Sequence, residues 1–172
     1  MKKLFALMLA LCLLLCSAAM AETAEDETAL DGEMVTLDKI GMSMYLFSNL
    51  VEDADYQSDD GSDVLYAWKD SDPESSDYFR IEGQDLSAAG IASAEDFLNL
   101  ALAQGFEDAN LLTLENGVQL VVFTTKADDQ ACAALVFDNG YVAGFSMGPL
   151  EGQEDGIVLA LGIALGTLAP IQ

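Results

Sequence analysis

Leu111-Leu-Thr-Leu114, Asn116-Gly117, Val118-Gln-Leu-Val-Val-Phe-Thr-Thr125, Ala131-Cys-Ala-Ala-Leu-Val-Phe137, Asn139-Gly140 and Tyr141-Val-Ala-Gly-Phe-Ser-Met147 form the stretch that decides the fold. Each Asn-Gly pair tolerates the positive φ angles of a type I′ turn, the turn whose twist matches two antiparallel strands. Ala127-Asp-Asp-Gln130 turns the chain between the two middle runs. Leu111 to Leu114 therefore leads into an antiparallel three-strand meander. Val121, Val122 and Phe123 are apolar in succession, as are Leu135, Val136 and Phe137. Such runs predict central strands covered on both faces.

Helical signals flank the meander. Ser93 and Asp96 have capping-box spacing, in which hydroxyl and carboxylate satisfy first-turn amides that lack an intrahelical partner. Ala94, Phe97, Leu98, Ala101 and Leu102 fall on one face, and Gly105 is placed to end the helix in the left-handed conformation. A helix is predicted over Ala94 to Gln104. Beyond the meander, Ile157 to Leu168 is apolar nearly all round and halts before Pro170. Gly162 and Gly166 make a G-x-x-x-G step there. About 15 apolar residues are too few to span a bilayer, so a buried helix against the sheet is expected.

Toward the N-terminus, Met34 to Leu37 and Gly41 to Phe47 read as short strands, and Glu52 to Asp63 as an acidic loop. Val64, Tyr66 and Trp68 alternate with Leu65, Ala67 and Lys69, a strand period. Asp70 to Asp77 is a second acidic turn, after which Tyr78 to Ile81 is extended again. The fold class expected is α+β, an antiparallel sheet packed against two helices. Phe97, Leu98, Val122 and Phe137 are the expected core where helix meets sheet.

This order of elements resembles the PsbP-like fold family, which includes an extrinsic photosystem subunit, a Ran-binding nuclear import factor and small exported bacterial proteins. Gly41-Met-Ser-Met-Tyr-Leu46, Ser93 to Gly105, the meander from Leu111 to Met147 and Ile157 to Leu168 carry the likeness. It covers Met34 to the end. The chain departs from the family in lacking a proline after the early strand, where Phe47-Ser-Asn49 stands. The resemblance implies a non-catalytic binding or accessory domain with helices on an antiparallel sheet. It transfers no site residue.

The first 21 residues predict export. Lys2 and Lys3 precede the apolar run Leu4 to Cys16, and Ala19 and Ala21 stand in the A-x-A arrangement that signal peptidase reads. Cleavage is expected between Ala21 and Glu22. A lipidated Cys16 or Cys12 would want a small residue before it, where Leu15 and Leu11 stand, and the A-x-A site argues against an uncleaved anchor. Residues 22–33 read as an acidic spacer, leaving residues 34–172 as a single domain.

After cleavage the chain carries 30 Asp and Glu against 4 Lys and Arg, net −26. Such a field repels phosphate backbones and anionic lipid and admits cationic partners, so an unknown protein or cationic ligand is expected and nucleic acid is not. No transmembrane span is expected in the mature chain. Only Cys132 remains outside the signal, so no intramolecular disulfide can form. Its alternating surroundings suit a buried strand residue, with a reactive or dimer-forming thiol as the alternative.

Gly144-Phe-Ser-Met-Gly148 matches the G-x-S-x-G nucleophile elbow by letter. The elbow needs a strand-to-helix turn and a base that is histidine in such hydrolases, and the chain has no histidine. Gly144 and Gly148 therefore read as strand and turn glycines. Asp53, Asp55, Asp59, Asp60 and Asp63 invite a calcium reading, but counting from Asp55 puts Asp60 sixth and Tyr66 twelfth, and counting from Asp53 puts Ser58 and Val64 there, where an EF-hand loop needs glycine and glutamate. The sequence thus nominates no catalytic, cofactor-binding or metal-ligating residue. It ranks a binding or accessory domain first, a self-associating protein using Gly162 and Gly166 or Cys132 second, and a carboxylate hydrolase third.

Overall fold

A computed structural model describes residues 31–106, 108–125 and 129–171. The expected signal peptide, the spacer up to residue 30 and part of the turn at Ala127 to Gln130 lie outside them. The architecture is α+β, with two antiparallel sheets and two helices.

The chain opens with β1 (Gly32–Leu37), which starts two residues inside the expected spacer, then turns through a short 3-10 segment into β2 (Met42–Phe47). Next comes β3 (Leu50–Glu52), a strand the acidic composition of its surroundings conceals. It is followed by β4 (Asp63–Asp70), β5 (Tyr78–Asp85) and the first helix, α1 (Ala94–Ala103). Strand β6 (Asn110–Thr113) then leads into the three-strand meander β7 (Gln119–Thr125), β8 (Gln130–Val136) and β9 (Tyr141–Gly148). Closing the chain are α2 (Glu154–Gly166) and the two-residue strand β10 (Ala169–Pro170).

The meander does not stand alone. Strand β9 pairs with β5, so the large sheet runs β3-β4-β5-β9-β8-β7-β6, while β1, β2 and β10 form a smaller one. Alternation then assigns the faces. Phe79, Ile81, Ala131, Ala133, Leu135, Ala143, Phe145 and Met147 enter the main core with β2 and with Ile157, Val158, Leu161 and Leu165 of α2. On the opposite face Ile91, Ala134 and Val142 meet Phe97, Leu100, Phe123 and Val136 beneath α1. The central strands are covered on both faces, as their unbroken apolar runs require.

Helix α1 is capped as its sequence demands. Ser93 Oγ accepts from Asp96 N at 3.2 Å, and Asp96 Oδ2 accepts from Ser93 Oγ at 2.8 Å and from Ala92 N at 3.1 Å. The carboxylate thus serves the residue before the cap, holding Asp96 below its usual carboxylate range, mainly through the Ser93 hydroxyl. Gly105 is left-handed, at φ +95°.

The expected core needs correcting. The two helices lie on opposite faces of the large sheet, so the four residues cannot share one helix contact. Val122 is buried on the α2 side, Phe97 is half-buried on the α1 side, and Phe137 is half-buried against the main core. Leu98 is half-buried in neither cluster, and Leu102, expected on the apolar face, is 47% exposed. Leu100 takes the inward place instead. Leu98→Ala is accordingly expected to cost under about 2 kcal/mol, below the range for a fully buried leucine. A shift of the urea midpoint equivalent to about 4 kcal/mol would contradict this placement.

Candidate functional site

The residues singled out by sequence do not gather into the sites their motifs suggested. Ser146 sits inside β9, not on a strand-to-helix turn, and Gly148 is the last residue of that strand. Gly162 is buried within the fold, Cys132 is buried on β8, and Gly166 is exposed at the end of α2. The self-association features therefore face mainly inward.

The acidic loop, residues 53–62, is folded against the sheet. Asp53 Oδ1 pairs with Lys69 Nζ at 2.9 Å, and Asp60 Oδ1 accepts from Ser58 Oγ at 2.7 Å and Ser62 N at 2.9 Å. Those hydrogen bonds, Ser58's first, pull the Asp60 carboxyl below its usual range. Among the described residues, no three Cys, Asp or Glu side chains gather in a way that could hold a metal ion.

What the loop delivers is Tyr56. Strand alternation turns Phe79 and Ile81 into the core, so Tyr78, Arg80 and Glu82 share the opposite face of β5. The Arg80 guanidinium lies 3.9 Å from the ring centroids of both Tyr56 and Tyr78. Arg80 is the chain's single arginine. Stacking between two aromatic faces fixes a guanidinium without using its five N–H donors. No hydrogen bond or ion pair to Arg80 occurs among the described residues.

The tyrosines are themselves held. Tyr56 Oη donates to Glu82 Oε1 at 3.0 Å, Ser62 Oγ donates to the same oxygen at 3.2 Å, and Tyr78 Oη donates to Gln130 Oε1 at 3.0 Å. Burial, followed by the hydrogen bond and charge of Glu82, pushes Tyr56 up to about 12, against partial relief from Arg80. Because its folded value lies above the usual 10, the associated stability is fully present below pH 10 and is lost between about pH 10 and 12. Tyr56 should therefore be the last tyrosine to ionise in an absorbance titration, and Tyr56→Phe should remove the step near pH 12. Loss of a step near pH 10 instead would contradict the buried hydrogen bond.

The floor beside Arg80 comes from β9 and β8. Arg80 is directly opposite Ser146, and Ser146 is opposite Cys132, so the three form one row on one face. Ser146 is only 8% exposed, yet its hydroxyl has no hydrogen-bond partner among the described residues. Gly144 lies on the same face, two residues along. A methyl group built there would meet only the Glu82 carbonyl oxygen, at 3.8 Å, so the space above it is open. The letters G-x-S-x-G thus encode a strand with small residues on one face.

The fold is similar to that of cyanobacterial PsbP. The solution structure of that protein from Synechocystis sp. PCC 6803 is 13% identical, with a TM-score of 0.47, over 88% of this chain and 99% of the other. The crystal structure of the Saccharomyces cerevisiae Ran-binding protein Mog1p is 9% identical, with a TM-score of 0.44, over 84% and 97%. No family model matches the sequence, and no curated protein matches it. The likeness is one of overall fold.

Sequence reasoning missed this site. Tyr78-x-Arg80-x-Glu82 on a strand was the available signal, since a period of two places all three on one face. Nothing local announces Tyr56, which arrives from a loop 24 residues away along the chain.

Proposed function

We propose that the chain is exported after cleavage between Ala21 and Glu22 and acts outside the cytoplasmic membrane as a non-catalytic binding domain. Its ligand sits on the sheet face around Arg80. The observation that carries this reading is a guanidinium fixed by Tyr56 and Tyr78 whose donors no described residue uses. A structural arginine ordinarily spends those donors on carboxylates or carbonyls, and this chain has 30 acidic residues to offer. Next to Arg80 lies the Ser146 hydroxyl, which has no hydrogen-bond partner among the described residues and so can accept or donate to a ligand. Ser146 supplies a hydrogen bond in this reading, not a nucleophile. No helix among the described residues is long and apolar enough to cross a membrane.

A thermal-shift panel of small cationic, zwitterionic and anionic compounds and short peptides tests the binding reading, with wild type measured against Arg80→Ala. At least one compound should raise the wild-type melting temperature and lose that effect in the variant, since a ligand at 100 times its Kd adds about 2.7 kcal/mol. A panel that never separates the two proteins would defeat it. Intact mass of the exported species should correspond to a chain starting at Glu22, and a lipidated chain starting at Cys16 would overturn cleavage after Ala21. A fluorophosphonate probe should leave Ser146 unlabelled; labelling abolished by Ser146→Ala would make the protein a serine enzyme.

A further inference from the structure

The electrostatics of this face narrow the ligand class. A fixed guanidinium whose donors no described residue uses is complementary to a carboxylate, which it can grip through two parallel N–H···O bonds, and a neighbouring serine hydroxyl can add a third. Long-range charge opposes that choice for a simple anion. With 30 acids against 4 bases in the mature chain, a net-negative ligand approaches through a repulsive field, screened over only about 8 Å at physiological salt. Glu82 resolves the conflict. Among the described residues its two donors, Tyr56 Oη and Ser62 Oγ, both bond to Oε1, which leaves the acceptor capacity of Oε2 to a ligand. Glu82 stands two residues from Arg80 on the same strand face, about 6.6 Å along the backbone. Fixed charges of opposite sign are thus held apart by the Tyr56 bridge, beside the open space above Gly144.

Resting on the reading of this face as a binding site, we infer that its ligand is a small zwitterion of the amino-acid class. The ligand carboxylate lies on the Arg80 guanidinium and the Ser146 hydroxyl, and its ammonium lies on Glu82 Oε2. Such a ligand is neutral overall, so the acidic field does not repel it. Its adjacent charged ends answer an arginine and a glutamate that the fold keeps from neutralising each other. Tyr56 and Tyr78 are positioning residues, since they hold the guanidinium and one carboxylate oxygen and leave the other groups free.

One arginine in the chain means one arginine Nε–Hε resonance, which reports on this site without assignment. In the 15N-labelled protein as the cell produces it, glycine titrated at constant ionic strength should move that resonance saturably. The midpoint should be on the order of 1 to 10 mM, as suits a ligand of five heavy atoms. Sodium acetate should bind at least about fivefold more weakly, and methylammonium chloride should leave the resonance in place. Glu82→Gln should bring glycine to the level of acetate, and Ser146→Ala should weaken both by about tenfold. The wild-type titrations decide the matter even where a variant does not fold. No saturable shift with glycine up to about 100 mM, or acetate or inorganic phosphate binding as tightly as glycine, would overturn the inference. A compound from the thermal-shift panel that moves the Arg80 resonance while glycine stays silent would defeat the zwitterion and leave the binding face standing.

Discussion

Replacing Phe79 by alanine is expected to lower the stability of the protein by about 3 to 5 kcal/mol, the cost of deleting a fully buried aromatic ring. Phe79 is 0% exposed on β5, an interior strand of the large sheet. Its strand pairs with β4 on one side and β9 on the other. Its ring stacks on Trp68 at 5.5 Å and on Phe145 at 6.5 Å, and Trp68 stacks on Tyr66 at 5.7 Å, so four aromatic rings form a continuous row across three strands. Aromatic pairs add about 0.5 to 1.5 kcal/mol beyond their burial, and an alanine here forfeits two such contacts while leaving a void. The strands around it are tied into one hydrogen-bonded sheet and can close on the gap only partially. Urea unfolding followed by tryptophan fluorescence measures the loss, and a cost below about 1 kcal/mol would show that the row does not carry the core.

The second large effect separates two turns that look alike in sequence. Gly140→Ala should cost about 2 to 5 kcal/mol and Gly117→Ala only about 1 to 2 kcal/mol, although each glycine follows an asparagine at a hairpin. Both are left-handed, at φ +81° and +85°, so both alanines meet the same conformational penalty. Their surroundings differ. A methyl group on Gly117 would meet nothing within 4 Å, whereas one on Gly140 would lie 2.7 Å from the Ile91 carbonyl oxygen and 2.7 Å from the Ser87 Cα. These are backbone atoms, and Leu86 N donates to the Gly140 carbonyl at 2.9 Å, which keeps the segment seated on the turn. Relief would require that segment, and the start of α1 behind it, to lift from the sheet. Equal melting temperatures for the two variants would show that the segment moves freely.

Much of the fold was legible because its signals are local. The Asn116-Gly117 and Asn139-Gly140 turns, the Ser93 and Asp96 cap, and the strand alternation of Tyr78 to Ile81 depend on residues within about four positions of each other. Alternation at β4 was less faithful. A register shift between Val64 and Tyr66 breaks the period, and Leu65, Tyr66 and Trp68 all pack against the main core. Strand β3 was hidden because Leu50-Val-Glu52 is too short to show a period. The candidate site was partly legible at best: β5 displays Arg80 and Glu82 side by side, but the stacking that fixes Arg80 depends on a loop whose composition suggested only acidity.

By itself, the sequence determined where most strands and helices begin and end, that the class is α+β, and that no histidine chemistry operates here. Those properties follow from backbone preferences, short-range hydrogen bonds and composition. Only the tertiary structure decided that β9 pairs with β5, that the helices cover opposite faces, and that Leu100, not Leu102, turns inward on α1. It also decided that Tyr56 closes over Arg80 beside Ser146. The physical reason is that contacts between distant segments are selected by competition for burial among all the apolar faces at once. A strand's own residues fix the spacing of its side chains, but which face meets a helix and which is left open depends on what the rest of the chain has to cover.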